Sequence, residues 1–175
     1  MNEIIKAMIE RRSVRKYRSD MIPRDIIDEI IEAGLYAASG KNFQGVKIIA
    51  VTDKKTRDEL SKLNCSIGGW DSNFDPFYGA PVVLLVISDK SHPTCVYDGS
   101  LVMGNLMLAA DSLGIGSCWI HRAKQEMETD YGKKLLSDLG IEGDWEGIGH
   151  CVLGYADGER NAAPARKADR VYYID

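Results

Sequence analysis

The sequence has no apolar run long enough to cross a membrane, since none of its hydrophobic stretches approaches the ~20 residues that a bilayer requires. The N-terminus also lacks the pattern of a signal peptide, because acidic Glu3 and Glu10 flank its short apolar stripe. These two absences predict a protein that has no membrane partner and that resides in the cytoplasm.

Cysteine is scarce, and none of the four forms a C-x-x-C pair: Cys65, Cys95, Cys118 and Cys151. A protein in a reducing compartment needs no disulfide, so we expect free thiols. Cys118 and His121 do form a C-x-x-H, and His150 lies next to Cys151, which is a weak signal for zinc. The neighbouring Val, Ile and Trp residues indicate strands, in which residues three apart face opposite sides of the sheet. We therefore favour buried thiols and predict no metal site.

The sequence motifs of several common enzyme classes are missing. No G-x-G-x-x-G opens a strand–turn–helix unit and no G-x-x-x-x-G-K-[ST] occurs, so neither a Rossmann fingerprint nor a P-loop is indicated. No G-x-S-x-G elbow or H-E-x-x-H helix is present either. The net charge of −4 and the pI near 5.4 argue against a general nucleic-acid-binding surface. The chemistry of such a chain is more readily supplied by a bound cofactor than by its own side chains.

Against this acidic background, residues 11–18 (RRSVRKYR) are strongly basic, and we call them the basic segment. They follow an amphipathic stripe that predicts a helix over residues 2–11. Arginine offers planar, forked donors and Ser13 adds a hydroxyl, which suits one phosphate group. A solvated basic loop is the alternative interpretation of the same run.

Hydrophobic periodicity and capping signals predict further helices over residues 23–40, 56–63, 95–113 and 124–139. Strands are predicted over residues 46–52, 81–88, 117–120 and 148–155. The continuous apolar run in 81–88 is typical of a strand that is buried on both faces. Residues 64–80 are broken by Gly and Pro but rich in aromatic residues. They are predicted to be either a lid over a binding site or a cover packed permanently on the core.

Two features favour a second subunit. The helix predicted over residues 95–113 is apolar nearly all round, and one small domain can hardly cover it alone. The extreme C-terminus, residues 170–174, is strand-like. A short terminal strand is stable only when it joins a sheet, either its own or that of a neighbour.

Four stretches, in order along nearly the whole chain, resemble the nitroreductase family of FMN-dependent oxidoreductases in its short single-domain form. Residues 11–17 (RRSVRKY) are similar to the family's RRSxR[KR][FY], residues 37–44 (AASGKNFQ) to AxSxxNxQPW, residues 113–120 (LGIGSCWI) to LGxGxxW, and residues 153–155 (LGY) with 164–167 (PARK) to a strand ending in LGY and a following Pro/Arg/Lys stretch. The resemblance implies one domain over residues 1–175 with an α+β fold, a mostly antiparallel central sheet flanked by helices. It also implies a homodimer whose C-terminal strand reaches the partner and whose FMN sites lie at the subunit interface.

For the FMN phosphate and ribityl chain, the resemblance implies contacts from Arg11, Arg12 and Ser13, and a C-terminal phosphate contact from Arg166 with Lys167 beside it. Two cationic groups from distant parts of the chain suit one dianion, because charge-assisted hydrogen bonds are stronger than neutral ones.

For the flavin ring, the resemblance implies that Arg15 lies near the pyrimidine edge, where a cation stabilises the negative charge that develops on reduction. Ser39 and Asn42 match flavin contacts that come from the other subunit. The segment that lines the ring matches three successive residues: Trp119, Ile120 and His121. A backbone N–H in this segment is expected to meet the hydride-accepting N5, and we expect His121 to pack or hydrogen-bond rather than to transfer protons.

The sequence departs from the family pattern at Gly45 and Val46, where Pro-Trp is usual, and at Ala38, where proline is common. These changes alter the pocket without removing a charged contact. The activity implied is FMN-dependent oxidation of NAD(P)H, with hydride passing through flavin N5 to a nitroaromatic, a quinone or a similar small-molecule acceptor in a ping-pong mechanism. No side chain is assigned a catalytic role.

Three alternatives stay open at this stage. The first is a narrow reductive chemistry, such as dehalogenation, for which residues 70–78 form a specific lid. The second is a flavin-binding or sensor protein without turnover. The third, a nucleic-acid-binding module using the basic segment, is disfavoured by the acidic net charge.

Overall fold

The structure, a computed structural model, describes residues 1–174. Their elements follow one another in this order: α1 (Glu3–Glu10), α2 (Arg24–Leu35), a 3₁₀ turn (Gly40–Asn42), β1 (Val46–Val51), α3 (Lys54–Gly68), β2 (Val82–Asp89), α4 (Cys95–Ser112), β3 (Gly116–Ile120), α5 (Ala123–Glu128), α6 (Asp130–Asp138) and β4 (Trp145–Gly154). None of these helices combines the length and the apolarity needed to cross a membrane.

The four strands form one sheet in the order β1-β2-β4-β3, and each pair of neighbours is antiparallel. The predicted α+β class is therefore confirmed. β2 lies inside the sheet, and its side chains are buried from Val82 to Ile87. Val82, Leu84 and Val86 pack on one face with α2 and α4, whereas the alternate residues of β2 pack on the other face. The apolar run of residues 82–87 thus forms a strand that is buried on both faces, as expected.

Helices cover both faces of the sheet. α2 and α4 pack against each other, and a Cβ at Gly34 would lie 2.5 Å from Cδ2 of Leu106, so the glycine permits their close approach. Leu60 of α3, Met127 of α5 and Leu136 of α6 pack on the opposite face. The sheet consequently separates two apolar layers, and its β3 edge stays accessible to the basic segment.

Several predicted boundaries were wrong. α2 ends at Leu35 rather than near Gly40, since Tyr36 is its C-cap and the chain is extended by Ser39. α3 continues to Gly68 and is capped by Gly69 at φ 66°, so residues 64–68 belong to a helix. The predicted helix 124–139 is two helices, since Thr129 is extended and its hydroxyl accepts a bond from Gly132 N to begin α6. β4 begins at Trp145, three residues earlier than predicted.

The C-terminal tail forms no strand within residues 170–174. Its large side chains are exposed: Val171, Tyr172, Tyr173 and Ile174. The tail therefore joins no sheet of its own subunit, and its pairing with a partner stays a prediction. The last residue of the chain lies outside the described part.

Candidate functional site

The basic segment runs as extended chain along the edge of the sheet at β3. Val14 N donates to Ser117 O at 2.9 Å, and Ser13 forms a parallel bridge with Ser117. Four residues later Arg18 N donates to Tyr155 O at 2.9 Å. The backbone thus fixes this run of cations beside the strand that leads into residues 119–121.

Arg11 and Arg12 are half-buried where α1 ends. The guanidinium of Arg12 donates to the carbonyls of Ile9 and Arg11 at the C-terminus of α1. Two buried donors, Nη1 of Arg11 and Nε of Arg12, have no hydrogen-bond partner among the described residues. A buried cationic N–H without an acceptor is unfavourable, so these atoms are suited to receive an anion.

A cavity of about 340 Å³ opens beside the basic segment. Its wall is formed by Arg12, Ser13 and Arg15, by the start of β3, and by residues 156–161. Lys16 pairs with Asp157 at 2.7 Å on its rim, whereas Arg15 makes no ion pair within residues 1–174. The cavity therefore carries positive charge that its own carboxylates do not neutralise.

β3 presents alternating buried and half-buried side chains next to these cations. Cys118 is buried, and burial raises the pKa of its thiol, although the positive charge of Arg15 partly opposes this shift. Burial also raises the pKa of Cys151 to about 12. Both thiols remain protonated at neutral pH, so they are packing groups rather than nucleophiles. Trp119 is half-buried, Ile120 is buried, and His121 is exposed at the end of the strand.

The loop after β3 is held by a buried polar network that sequence analysis missed. Asn64 of α3 donates from Nδ2 to the carbonyl of His121 at 2.8 Å and to Oε1 of Glu126 at 2.5 Å. The other carboxylate oxygen of Glu126 lies 2.8 Å from Nε2 of His150. All three side chains of this network are fully buried. His150 had been considered only for its place beside Cys151, and no spacing in the sequence links it to Glu126 or Asn64.

Ser39 and Asn42 lie on the 3₁₀ turn, and no hydrogen bond or ion pair within residues 1–174 joins them to the basic segment. Gln44 connects them, since its N donates to Ser39 Oγ at 3.1 Å and its Nε2 to Asn42 Oδ1 at 2.8 Å. The turn is anchored from α4, where Asp98 Oδ1 accepts from Gly40 N at 3.0 Å. The side chain of Asn42 is exposed, so it is free to face another molecule.

Arg166 and Lys167 also lie apart from the other predicted contacts. Both are exposed, and Arg166 donates to the carbonyl of Pro164 at 2.7 Å. Within the described residues, no hydrogen bond or ion pair joins them to Arg11, Arg12 or Ser13. One subunit therefore assembles the basic segment and β3, while the remaining predicted residues stay at its surface.

The aromatic stretch is part cover and part exposed surface. Phe77 is fully buried against His150, with ring centroids 5.1 Å apart. Trp70 and Phe74 remain 41% and 40% exposed, and the guanidinium of Arg122 lies 4.1 Å from the centre of the Trp70 ring. Neither the lid nor the permanent cover predicted for residues 64–80 describes this stretch fully.

Among residues 1–174, no three His, Cys, Asp or Glu side chains converge as a metal site would require.

Comparisons with known proteins identify the family to which the chain belongs. The model of the Nitroreductase family matches residues 8–66 and 69–155. The FMN reductase [NAD(P)H] of Bacillus subtilis is 30% identical over 67% of this chain and 53% of its own length. A putative NADH dehydrogenase/NAD(P)H nitroreductase of Archaeoglobus fulgidus is 29% identical over 92% of this chain and 90% of its own length. The chain spans about half of the length of the Bacillus protein and about half to three-fifths of two further curated relatives.

Solved structures repeat the result at the level of the fold. The structure of a nitroreductase with bound FMN from Bacteroides fragilis superposes with a TM-score of 0.91, at 27% identity over the whole of both chains. An iodotyrosine deiodinase structure shares the fold at 19% identity, with a TM-score of 0.76. The predicted family is confirmed, because its model covers most of the chain: the protein belongs to the nitroreductase family.

Proposed function

We propose that the protein binds FMN and uses it to oxidise NAD(P)H and to reduce a small acceptor such as a nitroaromatic or a quinone, with ping-pong kinetics. The observation that carries the proposal is the bridge between Ser13 and Ser117, which places the basic segment directly beside β3. The residues that we propose for the phosphate are thereby adjacent in the fold to the strand that leads to those we propose for the ring. Relatives named as an FMN reductase and as a nitroreductase with bound FMN support the assignment.

The residues present fit the phosphate of FMN. The unpartnered Nη1 of Arg11 and Nε of Arg12 supply donors, and the Ser13 hydroxyl supplies another. FMN, when bound, provides a ring that accepts a hydride and passes it on. Arg15 stands beside β3 without an ion-pair partner in the described part of the chain, so its charge is available to stabilise negative charge near the ring. Trp119, Ile120 and His121 line that ring in the proposal, and solvent supplies the protons.

We further propose a homodimer. α1 exposes Ile4, Ile5, Met8 and Ile9, and α4 exposes Val96, Tyr97 and Leu101. Burying each such side chain contributes about 1.5–3 kcal/mol, so two adjacent apolar helix faces favour a second copy. In the dimer, Ser39 and Asn42 of one subunit reach the flavin of the other, and the exposed tail brings Arg166 and Lys167 toward a phosphate.

The proposed dimer is tested by replacing Leu101 with Glu. Leu101→Glu places a charge in the apolar face of α4, so sedimentation velocity should show monomers and the FMN content should fall with them. Leu139→Glu is the matched control, because Leu139 is equally exposed at the end of α6, away from α1 and α4. A monomeric wild-type protein that retains FMN would contradict the dimer.

The activity is tested by the visible spectrum of the purified protein, before and after anaerobic addition of NADH. We expect a flavin spectrum that bleaches with NADH and returns when an acceptor is added. Arg12→Gln should raise the dissociation constant of FMN about tenfold, since one charge-assisted contact is lost. Lys62→Gln is the control, because Lys62 is an exposed cation of α3 outside the basic segment. A colourless protein that takes up no FMN contradicts the proposal, and FMN that stays oxidised with both NADH and NADPH indicates a flavin-binding protein without turnover.

A narrow reductive activity is the second candidate, and the exposed rings of Trp70 and Phe74 favour it because they offer a surface for a particular aromatic acceptor. Steady-state NADH oxidation with a panel of quinones, nitroaromatics and halogenated phenols separates the two. Turnover of most of the panel supports the broad activity, and turnover of one class supports the narrow one.

A further inference from the structure

Three side chains at the surface form an aromatic–arginine rim: Trp70, Phe74 and Arg122. The Trp70 and Phe74 rings meet edge to face with their centroids 5.1 Å apart, and both are about two-fifths exposed. The Arg122 guanidinium lies on the indole, 4.1 Å from its centre. A cation stacked on a ring is held in place but keeps its N–H edges available to an anion.

The rim is rigidly supported from below. Trp70 N donates to Cys65 O at 3.2 Å just after the left-handed cap at Gly69, so the indole is fixed to the end of α3. On the other side, Asn64 holds the carbonyl of His121, the residue before Arg122. The backbones of Trp70 and of the residue before Arg122 are therefore both anchored to α3.

The backbone of Arg122 is held in an uncommon conformation. Its φ is +82°, a left-handed conformation that costs a non-glycine residue of order 1 kcal/mol or more. Within residues 1–174 no carboxylate lies in ion-pair distance of its guanidinium, as is also true of Arg15 in the basic segment. The charge stacked on Trp70 is therefore available to an anionic ligand.

Arg122 directly follows residues 119–121, which line the ring in the proposed function, and its guanidinium carries the rim's contact with Trp70. We propose that the rim binds the acceptor, and that it selects flat aromatic acceptors that carry a carboxylate or a similar anionic group. The carboxylate accepts paired N–H bonds from Arg122, and the aromatic part packs on the exposed surface of Trp70 and Phe74. This inference rests on the proposed function for the acceptor's reduction, but the binding itself does not require turnover.

The test compares para-nitrobenzoate with para-nitrobenzamide, which share shape and nitro group but differ in charge. With NADH as donor, wild-type protein should show the lower KM for the benzoate. Arg122→Gln should raise that KM about tenfold and leave the benzamide KM nearly unchanged. Lys62→Gln removes an equal charge from the exposed surface of α3, outside the rim, and should alter neither KM by more than about twofold. Equal KM values for the two acceptors in the wild type, or equal changes for both in Arg122→Gln, would overturn the proposal.

A binding measurement keeps the result independent of turnover. Benzoate should quench the fluorescence of Trp70 with a lower dissociation constant than benzamide does. This quenching should disappear in Trp70→Phe. The difference between the two ligands should vanish in Arg122→Gln and persist in Lys62→Gln. If this pattern appears but the wild type reduces neither nitro compound, the proposed binding at the rim is supported and the proposed oxidoreductase activity is contradicted. Benzoate that binds no more tightly than benzamide overturns the rim, whatever the activity.

Discussion

Replacing Asp75 with Asn should destabilise the protein and loosen the aromatic stretch. The Asp75 carboxylate accepts from Arg57 Nη2 at 2.5 Å and from Ser61 Oγ at 2.6 Å, both on α3. It also accepts from the backbone N–H groups of Phe77 and Gly79, at 2.9 and 2.7 Å. One carboxylate therefore ties residues 75–79 to α3. Asp75→Asn replaces one of its acceptor oxygens with a donor and leaves Arg57 with a single ion-pair partner, Asp58, at 3.2 Å.

The size of the effect follows from burial. The side chain of Arg57 is only 10% exposed, and removing one partner of a buried ion pair costs about 3–5 kcal/mol. Asp75 is 35% exposed, so water reaches part of the site, and Arg57 keeps its ion pair with Asp58, so the lower end applies. We expect the free energy of unfolding to fall by about 3 kcal/mol. With a urea slope of about 2 kcal/mol/M, the midpoint should shift by about 1.5 M.

The pH dependence identifies the carboxylate as the cause. Burial raises the pKa of Asp75, but hydrogen bonds from Arg57 and Ser61 outweigh it, and the net shift is downward from 3.8. Because the folded state has the lower pKa, the stabilisation is complete above pH 3.8 and is lost as the pH falls through the folded-state pKa. The difference between wild type and Asp75→Asn should therefore be constant from neutral pH to about pH 5 and shrink in more acidic solution.

Urea unfolding followed by far-UV circular dichroism, at one protein concentration, measures both effects. Asp71→Asn is the matched control, since Asp71 is exposed and its side chain accepts only a local bond from Asn73 N. It should shift the free energy of unfolding by less than about 0.5 kcal/mol. An Asp75→Asn protein as stable as Asp71→Asn would refute the argument, and so would a difference that does not change with pH.

Three further outcomes are expected. Gly149→Ala should lower the free energy of unfolding by about 1–3 kcal/mol, because the added Cβ would lie 2.5 Å from Nε1 of Trp119. Urea unfolding measures this, and an unchanged midpoint would show that Trp119 moves aside freely. Gly69→Ala should cost about 1 kcal/mol in the same assay, purely from its left-handed φ of 66°, since no atom lies within 4 Å of the new Cβ. Burial, with the hydrogen bond to Glu59, raises the pKa of Tyr131 to about 12. A high-pH absorbance titration should therefore contain a late step that Tyr131→Phe removes, and the associated stability should decline only as the pH rises from about 10 toward 12.

The sheet was predictable because its signals are local. The run Val82 to Ile87 has no polar interruption, and such a run has few structural interpretations other than a strand buried on both faces. Helix ends were harder, since they depend on single backbone conformations. Gly68 and Gly69 offered two stop signals, and nothing in the sequence showed that α3 would continue to the second. Thr129 divides α5 from α6 by capping a new helix, although its neighbours continue a helical pattern.

The site was predictable only where its residues form a contiguous motif. The basic segment and residues 119–121 are each recognisable, and the bridge from Ser13 to Ser117 joins the basic segment to the strand that leads to residues 119–121. Arg122 escaped notice because neither its positive φ nor its stacking on Trp70 leaves any trace in residue spacing. The 3₁₀ turn and the C-terminal cations were named from resemblance, and within the described residues no hydrogen bond or ion pair joins either of them to the basic segment.

The buried polar network shows that residues without any sequence motif can fix the position of the loop after β3. Its three side chains come from α3, α5 and β4, and Asn64 lies 57 residues before the carbonyl it holds and 62 before Glu126. A buried amide or carboxylate is unfavourable alone and becomes tolerable when a partner is fixed within hydrogen-bond distance, as Asn64 Nδ2 and Glu126 Oε1 are. Asn64 Oδ1 and His150 Nδ1 have no hydrogen-bond partner among the described residues. His121 contributes its carbonyl to this network, whereas its imidazole remains exposed. His121, which looks reactive in the sequence, is thus held through its backbone carbonyl. The position of the loop after β3 depends on buried polar side chains that no sequence motif reveals.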